Sequence, residues 1–502
     1  MTKISLLHSR SFGQAALVLT LICSLCVFAV IPASAQNLFR QLSQDSFTNG
    51  SSQHMTEVEP AAFSYGATIV TAFQVGRIYG GGSADIGFAT STNGGIAWSN
   101  GYLPGLTQWY QGGSNSAASD PSVAYDLKHK EWLICTLPLG NNNLVAVSRS
   151  SDGLHWDNPI YVTNNINSDK NWINCDNTPT SPYYGNCYVE FDSPAEGDLL
   201  FMSTSSDGGL TWGTPINTAA GDYGLGGNPV VQPNGTVVVG YADFNGGMSA
   251  FTSTNGGHSW NAAVSIANAP SRRPDGGLRY FGLPATAIDG GGTVYVSWPD
   301  CRYESGCSAN DIVFSTSADG IHWSSVSRVA SDPVGSGVDH FIHGMGIDPK
   351  TSGSTAHIGL TYYYYPVANC GNSCTLFAGY TQSSDGGKTW TASRQLSGGM
   401  QLSWLPSTLS GYMVGEYVGT VFAGPRAFPL YVIAHPPAGG LFQEAMYTEG
   451  YGFPFPGQEQ TFSSKDDQPI PDFNSYIRPR EFYDQDNQVP VHPAGTPPPS
   501  ER

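Results

Sequence analysis

The chain has 502 residues, a formal net charge of −18, and 39 acidic residues against 21 basic ones. So acidic a protein repels polyanions at long range, which disfavours nucleic acid and anionic membrane surfaces as partners. Only 12% of the residues are charged, while 61 are glycine and 26 are tyrosine. This composition is typical of an extracellular, turn-rich all-β protein with aromatic surfaces suited to sugars.

The N-terminal residues have the pattern of a secretory signal peptide. Lys3 and Arg10 precede an apolar run over residues 15–31, and Ala33-Ser34-Ala35 forms a small-residue cleavage site. A membrane anchor is the alternative interpretation, but the run is short for a span and ends at a cleavage site. We therefore expect a signal peptide over residues 1–35 and an exported protein, secreted or periplasmic, without a stable membrane anchor.

Six copies of one turn motif follow along the chain. Each contains an Asp or Asn that can accept backbone N–H groups of its own turn, a glycine that supplies positive φ, and a Trp that packs on the neighbouring sheet. The copies begin about 50 to 65 residues apart, which fits one four-stranded β-propeller blade per copy. They run from Ser91 to Trp98, Ser150 to Trp156, Ser205 to Trp212, Ser253 to Trp260, Ser317 to Trp323 and Ser383 to Trp390.

A seventh unit, without the turn motif, extends from Met413 to Gln443. Residues 37–42 are predicted to complete its sheet, a closure that would remove an exposed strand edge. The predicted fold is therefore an all-β β-propeller of four-stranded antiparallel blades over residues 36–450, with seven blades favoured and six as the alternative. Residues 451–502 are rich in proline and lack sustained alternation, which predicts a mostly disordered tail.

The nine cysteines fit an oxidising compartment. Cys23 and Cys26 belong to the predicted signal peptide, and the close spacing of the other seven cysteines predicts three disulfides and leaves Cys135 as a buried thiol. Metal binding is the rival interpretation, but the cysteines after residue 35 include no CxxC pair, and His340 and His343 lack a third ligand motif. We expect no metal and no cofactor. The predicted disulfides are Cys175–Cys187, Cys301–Cys307 and Cys370–Cys374.

The turn motifs follow the pattern Ser-x-Asp-x-Gly-x-Thr-Trp, as in Ser383-Ser384-Asp385-Gly386-Gly387 closing on Trp390. These are Asp-boxes, and from about residue 50 to 450 the chain resembles the sialidase-like superfamily of BNR-repeat propellers. The resemblance implies a secreted glycoside hydrolase of exo-sialidase type that acts on extracellular glycans. It also implies that the Asp-boxes lie on the face opposite the active site and act as a scaffold. The function must therefore be argued from residues other than the Asp-boxes, since a fold alone does not specify a function.

Strand direction selects a working face independently of the resemblance. Because strands alternate in direction, the Trp-bearing turns share a face with the turns between first and second strands, and the opposite face collects inner-strand starts and second-strand ends. Glycoside hydrolysis needs a protonated acid and an anionic nucleophile or base. The candidate catalytic residues on this opposite face are Glu57, Glu59, Arg77, Asp120, Glu416 and Tyr417, and the candidate substrate-binding residues are Asp243, Arg279, Asp300, Arg302 and His343.

The resemblance assigns roles to a few of these residues. Sialidases use a Tyr activated by a Glu as nucleophile, which implies this role for Tyr417, and Arg77 matches an arginine that holds the substrate carboxylate. Adjacent residues of a strand point to opposite faces, so Glu416 reaches Tyr417 only if a bulge intervenes. Glu57-Val58-Glu59-Pro60 stands where the family has its first arginine, which favours a neutral or cationic sugar, or a bound cation. Converging glutamates can raise one carboxyl pKa enough to make an acid.

The segment from Asp169 to Asn177 combines charged, aromatic and amide residues. Lys170 could stand on the working face as a cation among acids, or the segment could be an ordinary inner strand with Lys170 in a salt bridge. Two classes of function remain open at this point. One is the glycoside hydrolase, and the other is a non-catalytic propeller that binds a glycan or a protein outside the cell.

Overall fold

The computed structural model describes residues 39–140, 143–455, 461–463, 467–470 and 473–477. The predicted signal peptide lies outside these residues. Within them the chain is all-β, as predicted, and its helical segments are single 3-10 turns of three or four residues. No helix in this described part is long and apolar enough to cross a membrane.

The N-terminal strands include one large sheet that holds two repeating units. The strands are β1 (Phe39–Gln41), β2 (Ser52–Tyr65), β3 (Thr68–Ile78), β4 (Ser83–Ser91), β5 (Ser99–Tyr102), β6 (Ala117–Asp126), β7 (Glu131–Leu139), β8 (Ala146–Ser150) and β9 (Ile160–Tyr161). In this sheet, β2 to β5 form one antiparallel group and β6 to β9 form the next. A single residue pair, Ser83 with Ala118, joins the groups.

Three separate four-stranded sheets follow, and in each the strands pair antiparallel in chain order. Their second strands are buried on both sides, which explains continuous apolar runs such as Val237-Val238-Val239. The strands are β10 (Asp169–Cys175), β11 (Cys187–Ser193), β12 (Leu199–Ser205), β13 (Ile216–Asn217), β14 (Gly224–Val231), β15 (Val237–Asp243), β16 (Gly247–Ser253), β17 (Val264–Asn268), β18 (Ala285–Ile288), β19 (Val294–Asp300), β20 (Asp311–Ser317) and β21 (Ser327–Arg328).

The C-terminal part contains two further sheets and two short strand pairs. Its strands are β22 (Asp339–Ile347), β23 (Ile358–Tyr365), β24 (Thr375–Ser383), β25 (Thr389–Thr391), β26 (Arg394–Gln395), β27 (Met400–Gln401), β28 (Ser407–Thr408), β29 (Gly411–Tyr412), β30 (Gly419–Ala423), β31 (Arg426–Ala434), β32 (Glu444–Glu449), β33 (Phe453–Pro454) and β34 (Thr461–Ser463). The single 3-10 turns span Pro194–Glu196, Ser305–Cys307, Gly353–Thr355, Gly371–Ser373, Leu402–Trp404 and Phe473–Tyr476.

The first strands of the units contact one another in a cycle. β2 packs against β6, β6 against β10, and so on through β14, β18 and β22 to β30, which returns to β2. Hydrophobic clusters fill the spaces between neighbouring sheets, so each sheet is covered on both faces. All the first strands therefore surround one common centre.

The N-terminal strand completes the last sheet, as predicted for residues 37–42. β1 pairs antiparallel with β32, with Phe39 opposite Glu449, and the sheet order is β1-β32-β31-β30. The strand pairing thus joins residues about 400 positions apart in sequence and covers the edge that β32 would otherwise expose.

The turn motifs form the hydrogen bonds that their residue types predict. In the sixth copy the Asp385 carboxylate accepts the backbone N–H groups of Lys388 and Thr389 at 3.0 and 2.9 Å, and the Trp390 indole donates to the Gly387 carbonyl. Trp390 is fully buried and packs on Phe314 of the preceding unit. The motifs connect third to fourth strands, and the sixth copy anchors its unit to the one before it through Trp390.

All three predicted disulfides are present, Cys175–Cys187, Cys301–Cys307 and Cys370–Cys374, and Cys135 is a free, buried thiol. The described pieces of the predicted C-terminal tail lie on the body of the protein. β33 pairs with β31, β34 pairs with β25, and the guanidinium of Arg302 lies over the ring of Phe473. These pieces add strands and contacts to the outside of the sheets.

Candidate active site at the centre of the sheets

A recurring backbone irregularity brings charged side chains to the centre. The pairing of β2, β6 and β10 with their neighbours is interrupted by a β-bulge, and Glu59, Asp120 and Lys170 in these bulges have φ of 57°, 48° and 30°. Positive φ costs a non-glycine residue about 1–3 kcal/mol, and such strain concentrates at functional sites. Gly226 occupies the corresponding bulge of β14 at φ 69°. The same β-bulge with a positive-φ residue thus places different side chains at the same level of successive first strands.

Three carboxylates meet at this level. Oxygen atoms of Glu59, Asp120 and Glu416 lie within 4.8 Å of one another, and all three side chains are buried. The Arg279 guanidinium forms an ion pair with Glu416, its Nε donating to Oε1 at 2.6 Å. The Gln74 amide donates to Glu59. The sequence-predicted acids Glu59, Asp120 and Glu416 therefore form one cluster.

Cations balance part of this negative charge. Lys170 Nζ lies 3.5 Å from Asp120 Oδ1 and 3.8 Å from the centre of the Tyr417 ring. Arg77 donates from Nη1 to the Gln74 side chain at 3.0 Å and to the Gly82 carbonyl at 2.6 Å. Arg77 and Lys170 are almost completely buried, so their charges act on the carboxylates with little screening by water.

Burial and crowding change the acidity of these groups. Desolvation, followed by the negative charges of Asp120 and Glu416, raises the pKa of Glu59 to about 8. Desolvation also raises the pKa of Glu416, against the attraction of Arg279. Glu59 is therefore protonated at neutral pH. Perturbation of this kind, caused by burial plus specific charge partners, is typical of functional sites.

A cavity of about 250 Å³ lies along the centre; Lys170, the ion-pair partner of Asp120, is among its lining residues, whereas the three clustered carboxylates are not. All the first strands line it, from Lys170 and Tyr417 near their starts to Ile347 and Phe422 near their ends. The Tyr417 ring meets the Trp172 ring edge to face at 5.2 Å, and Trp172 is partly exposed. An aromatic wall beside buried carboxylates suits a sugar ring, whose apolar face stacks while its hydroxyls bond to charged groups.

The structure places five of the predicted site residues away from the cluster. Glu57 lies two residues before Glu59 but is buried beside Asp45 and Glu444, because the strand bulges between Glu57 and Gln53 and again after Val58. The bulges break the simple alternation on which its assignment rested. His343 lines the cavity wall, and its Nε2 lies 2.8 Å from Ser297 Oγ in a hydrogen bond.

Three other predicted substrate-binding residues are occupied by local partners. Asp300 and Arg302 pair with each other, and the Trp298 indole also donates to Asp300. Asp243 accepts the N–H groups of Asn245 and Gly247 and the hydroxyl of Ser249 in its own turn. These short-range bonds explain the residue types without a ligand.

Tyr417 reaches the centre, but its hydroxyl donates to the Pro121 carbonyl at 3.1 Å. Burial raises its pKa well above the ordinary value, and the negative charges of Glu59, Asp120 and Glu416 add to the effect. A nucleophilic Tyr needs a base that removes its proton, whereas this hydroxyl is bonded to a backbone carbonyl. The geometry thus assigns Tyr417 to the aromatic wall.

Two members of the site have weaker signals in the sequence. The sequence left Lys170 open between a cation on the working face and a salt-bridged residue of an ordinary inner strand, and its place beside Asp120 depends on the bulge. Gln74, which bridges Glu59 and Arg77 through its amide, carries no motif and is visible only in the folded chain.

No protein-family model matches the chain, and no curated protein matches it significantly. Several solved structures are similar in fold. They include a Hadza microbial sialidase (16% identity, TM-score 0.38, 79% of this chain and 66% of that chain), an ulvan lyase of a new polysaccharide lyase family (12%, 0.47, 88% and 100%) and the NanB sialidase from Streptococcus pneumoniae (12%, 0.39, 81% and 69%).

The antiparallel sheets and the cycle of first strands give the described part of the chain the architecture of a β-propeller. The chain spans slightly less than two thirds of the length of the Hadza sialidase. Identities this low concern the fold alone, and the activity has to be argued from the residues of this chain.

Proposed function

We propose that this chain is a secreted, seven-bladed propeller that hydrolyses glycosidic bonds of extracellular glycans at the central cluster. The observation that supports the proposal is the meeting of Glu59, Asp120 and Glu416, with oxygens within 4.8 Å of one another and with the pKa of Glu59 raised to about 8 by burial and by its charged neighbours. A carboxyl group that stays protonated at neutral pH beside a second carboxyl group is the usual arrangement of a glycosidase.

In the proposed reaction Glu59 donates its proton to the glycosidic oxygen as the bond to the anomeric carbon breaks. Asp120, held beside the Lys170 ammonium, attacks the anomeric carbon and forms a glycosyl ester. Water then cleaves the ester, giving its proton to Glu59 and restoring both groups. Two carboxyl groups this close favour a double displacement with retention of configuration.

The remaining charged groups position this pair. Arg279 neutralises Glu416, which keeps a third negative charge from raising the proton affinity of the other carboxylates further. Gln74 holds the Glu59 carboxyl and the Arg77 guanidinium in one orientation. Trp172, partly exposed beside Tyr417, provides the surface on which a sugar ring would stack.

A non-catalytic glycan-binding role is the second candidate. The burial of Glu59, 1% exposed, favours it, because a proton donor has to touch the substrate. In this role the aromatic wall and the more exposed Arg279 would hold a sugar that is never cleaved.

Export supports either role. The predicted signal peptide over residues 1–35, the three disulfides and the acidic composition fit a protein that works outside the cytoplasm. We assign residues 36–450 to the propeller and the residues that follow to an extension, whose described pieces lie on its outer surface.

The test is release of reducing sugar from a panel of neutral, amino and acidic glycans by the purified, exported protein. Glu59→Gln and Asp120→Asn should each lower kcat by at least about 100-fold, the scale of one acid-base group. Glu57→Gln is the matched control, since Glu57 is equally buried on the same strand but outside the cluster. Equal loss in all three variants, or unchanged turnover in the first two, would refute the assignment. Binding without turnover by the wild-type protein would favour the second candidate.

A further inference from the structure

Three side chains of metal-ligating type meet where the fifth and sixth units join. Asp311 is the first residue of β20, Asp332 follows β21, and His340 is the second residue of β22. One carboxylate oxygen of each aspartate and one ring nitrogen of His340 all lie within 4.8 Å of one another. Carboxylate oxygen and imidazole nitrogen are both ligands of zinc, so the three atoms are placed to share one ion.

Asp311 has an oxygen atom that the chain does not satisfy. The residue is 2% exposed, and its Oδ2 has no hydrogen-bond partner among the described residues. Its other oxygen, Oδ1, pairs with the Arg328 guanidinium at 2.8 Å. A buried carboxylate oxygen without a partner is costly, because nothing replaces the water that it has lost. The cost indicates a further partner for Oδ2 in the working protein.

The hydrogen bond of His340 leaves a lone pair for an ion. Nδ1 lies 3.3 Å from the Asn310 carbonyl oxygen, which only accepts, so Nδ1 carries the ring proton and Nε2 has the lone pair. The residue is almost completely buried, and its ring packs against Tyr362 at 5.2 Å between centroids. A histidine that ligates a metal almost always donates its other N–H to a carbonyl or a carboxylate. His340 has this arrangement.

Arg328 does not neutralise the surrounding acids on its own. Its Nη2 lies 2.8 Å from Oδ1 of both Asp311 and Asp332, and its Nη1 lies 3.5 Å from Asp467 Oδ2. Burial still raises the pKa of Asp311, against the attraction of Arg328. Three carboxylates share one guanidinium, so a divalent cation on the two clustered aspartates would balance the remaining negative charge.

We propose that Asp311, Asp332 and His340 bind a zinc ion, with Arg328 holding the aspartate oxygens that do not ligate it. A mixed set of nitrogen and oxygen ligands favours zinc over calcium, which takes about six to eight oxygen ligands. The Asp332 side chain is 15% exposed and gives the ion a path from solvent. None of the three residues takes part in the proposed bond cleavage, so the zinc site is independent of that proposal.

Pairing between units, rather than spacing along the chain, forms this group. His340 and His343 have the spacing of a metal site, but His343 bonds to Ser297 and is not a member of the group. The His340 backbone N–H donates to the Asn310 carbonyl at 2.8 Å, which brings Asp311 beside His340. A bound zinc ion would thus tie β20 to β22 across the junction of two units.

Zinc binding is measured on the full protein after removal of metal with a chelator. We expect one zinc ion per chain to remain after dialysis from a small zinc excess, and a rise in Tm of a few degrees with zinc but not with calcium. Cobalt(II) gives a second readout, because it absorbs visible light in a four-coordinate site. Zinc should displace the cobalt and remove this absorption.

His340→Gln should weaken zinc binding by at least about tenfold and remove the effect of zinc on Tm. His343→Gln is the matched control, at an equally buried histidine of the same strand, and His322→Gln removes an exposed histidine that pairs with Asp319. Both controls should bind zinc like the wild type. If His340→Gln does not fold, Asp332→Asn takes its place, because Asp332 is partly exposed.

Three results would overturn the proposal. The first is a wild-type protein that neither retains zinc nor gains stability from it, or that responds equally to calcium. The second is wild-type affinity in the His340→Gln or Asp332→Asn variant. The third is loss of zinc binding in His322→Gln alone, which would place the ion at the exposed turn.

Discussion

Replacing His343 with Gln tests whether water is excluded from the cavity wall around this side chain. His343 is 3% exposed, and burial lowers its pKa to about 4, against about 6.5 for a histidine in water. The folded protein therefore resists protonation of this ring, so the neutral ring favours folding above pH 6.5 and this contribution is lost as the pH falls toward 4. A difference of 2.5 pH units corresponds to about 3 kcal/mol in the free energy of unfolding.

The measurement is urea unfolding of wild type and His343→Gln at pH 7.5 and pH 4.5. At pH 7.5 the variant should be less stable by about 1 kcal/mol, because packing and the bond to Ser297 change. At pH 4.5 the difference should shift by about 2–3 kcal/mol in favour of the variant, which has no proton to exclude. His258→Gln, at an exposed histidine, should show no such shift. A pH-independent difference for His343→Gln would mean that His343 is hydrated and available to a ligand.

Three further outcomes follow from the structure. On the proposed mechanism, kcat should decline as the pH rises through about 8, because Glu59 then loses the proton that it donates; a pH–rate profile of the wild type measures this. Arg328→Met should lower the free energy of unfolding by about 3–5 kcal/mol in urea titrations, because it leaves the carboxylates of Asp311 and Asp332 without their buried partner. Replacing Cys175 and Cys187 together with Ala should lower the free energy of unfolding by about 3 kcal/mol in the same assay. This is the value expected for the closure of a short loop, and a longer loop would give a larger loss.

The repeating framework could be predicted from the sequence because its signals are local. Each turn motif carries its own hydrogen-bonding side chain, its glycine and its Trp within about eight residues, so no distant part of the chain is needed to recognise it. The three disulfides could be predicted for the same reason, since each joins residues that are close in sequence. Pairing of β1 with β32 is long-range, but an otherwise open sheet edge pointed to it.

The composition of the central cluster could be predicted only in part. Glu57 and Glu59 share a face in a regular strand, and alternation alone would send both to the centre. The two bulges in β2 separate the two side chains. The residue types of Glu57-Val58-Glu59-Pro60 do not predict the left-handed conformation that Glu59 adopts. Bulges arise from the fit between neighbouring sheets, which is a property of the assembled fold.

Ion pairing between side chains of the same chain is the second reason why the site could not be predicted fully from the sequence. Asp300 and Arg302 have the residue types of a binding site, and their sequence positions fit the working face. In the structure each satisfies the other, so neither is left to hold a ligand. Whether a charged residue is already neutralised depends on a side-chain geometry that a spacing of two residues does not determine.

At the bulges of the inner strands the backbone conformation is conserved from unit to unit of the fold, while the side chain differs. The same left-handed backbone step carries a carboxylate in β2 and β6, an ammonium in β10, a glycine in β14 and an aliphatic chain at Ile342 in β22. The left-handed conformation at the bulge is therefore compatible with side chains of different charge and size. A substitution at one of these bulge positions therefore changes the charge at the centre, whereas the pairing that forms the sheets involves the residues on either side of the bulge.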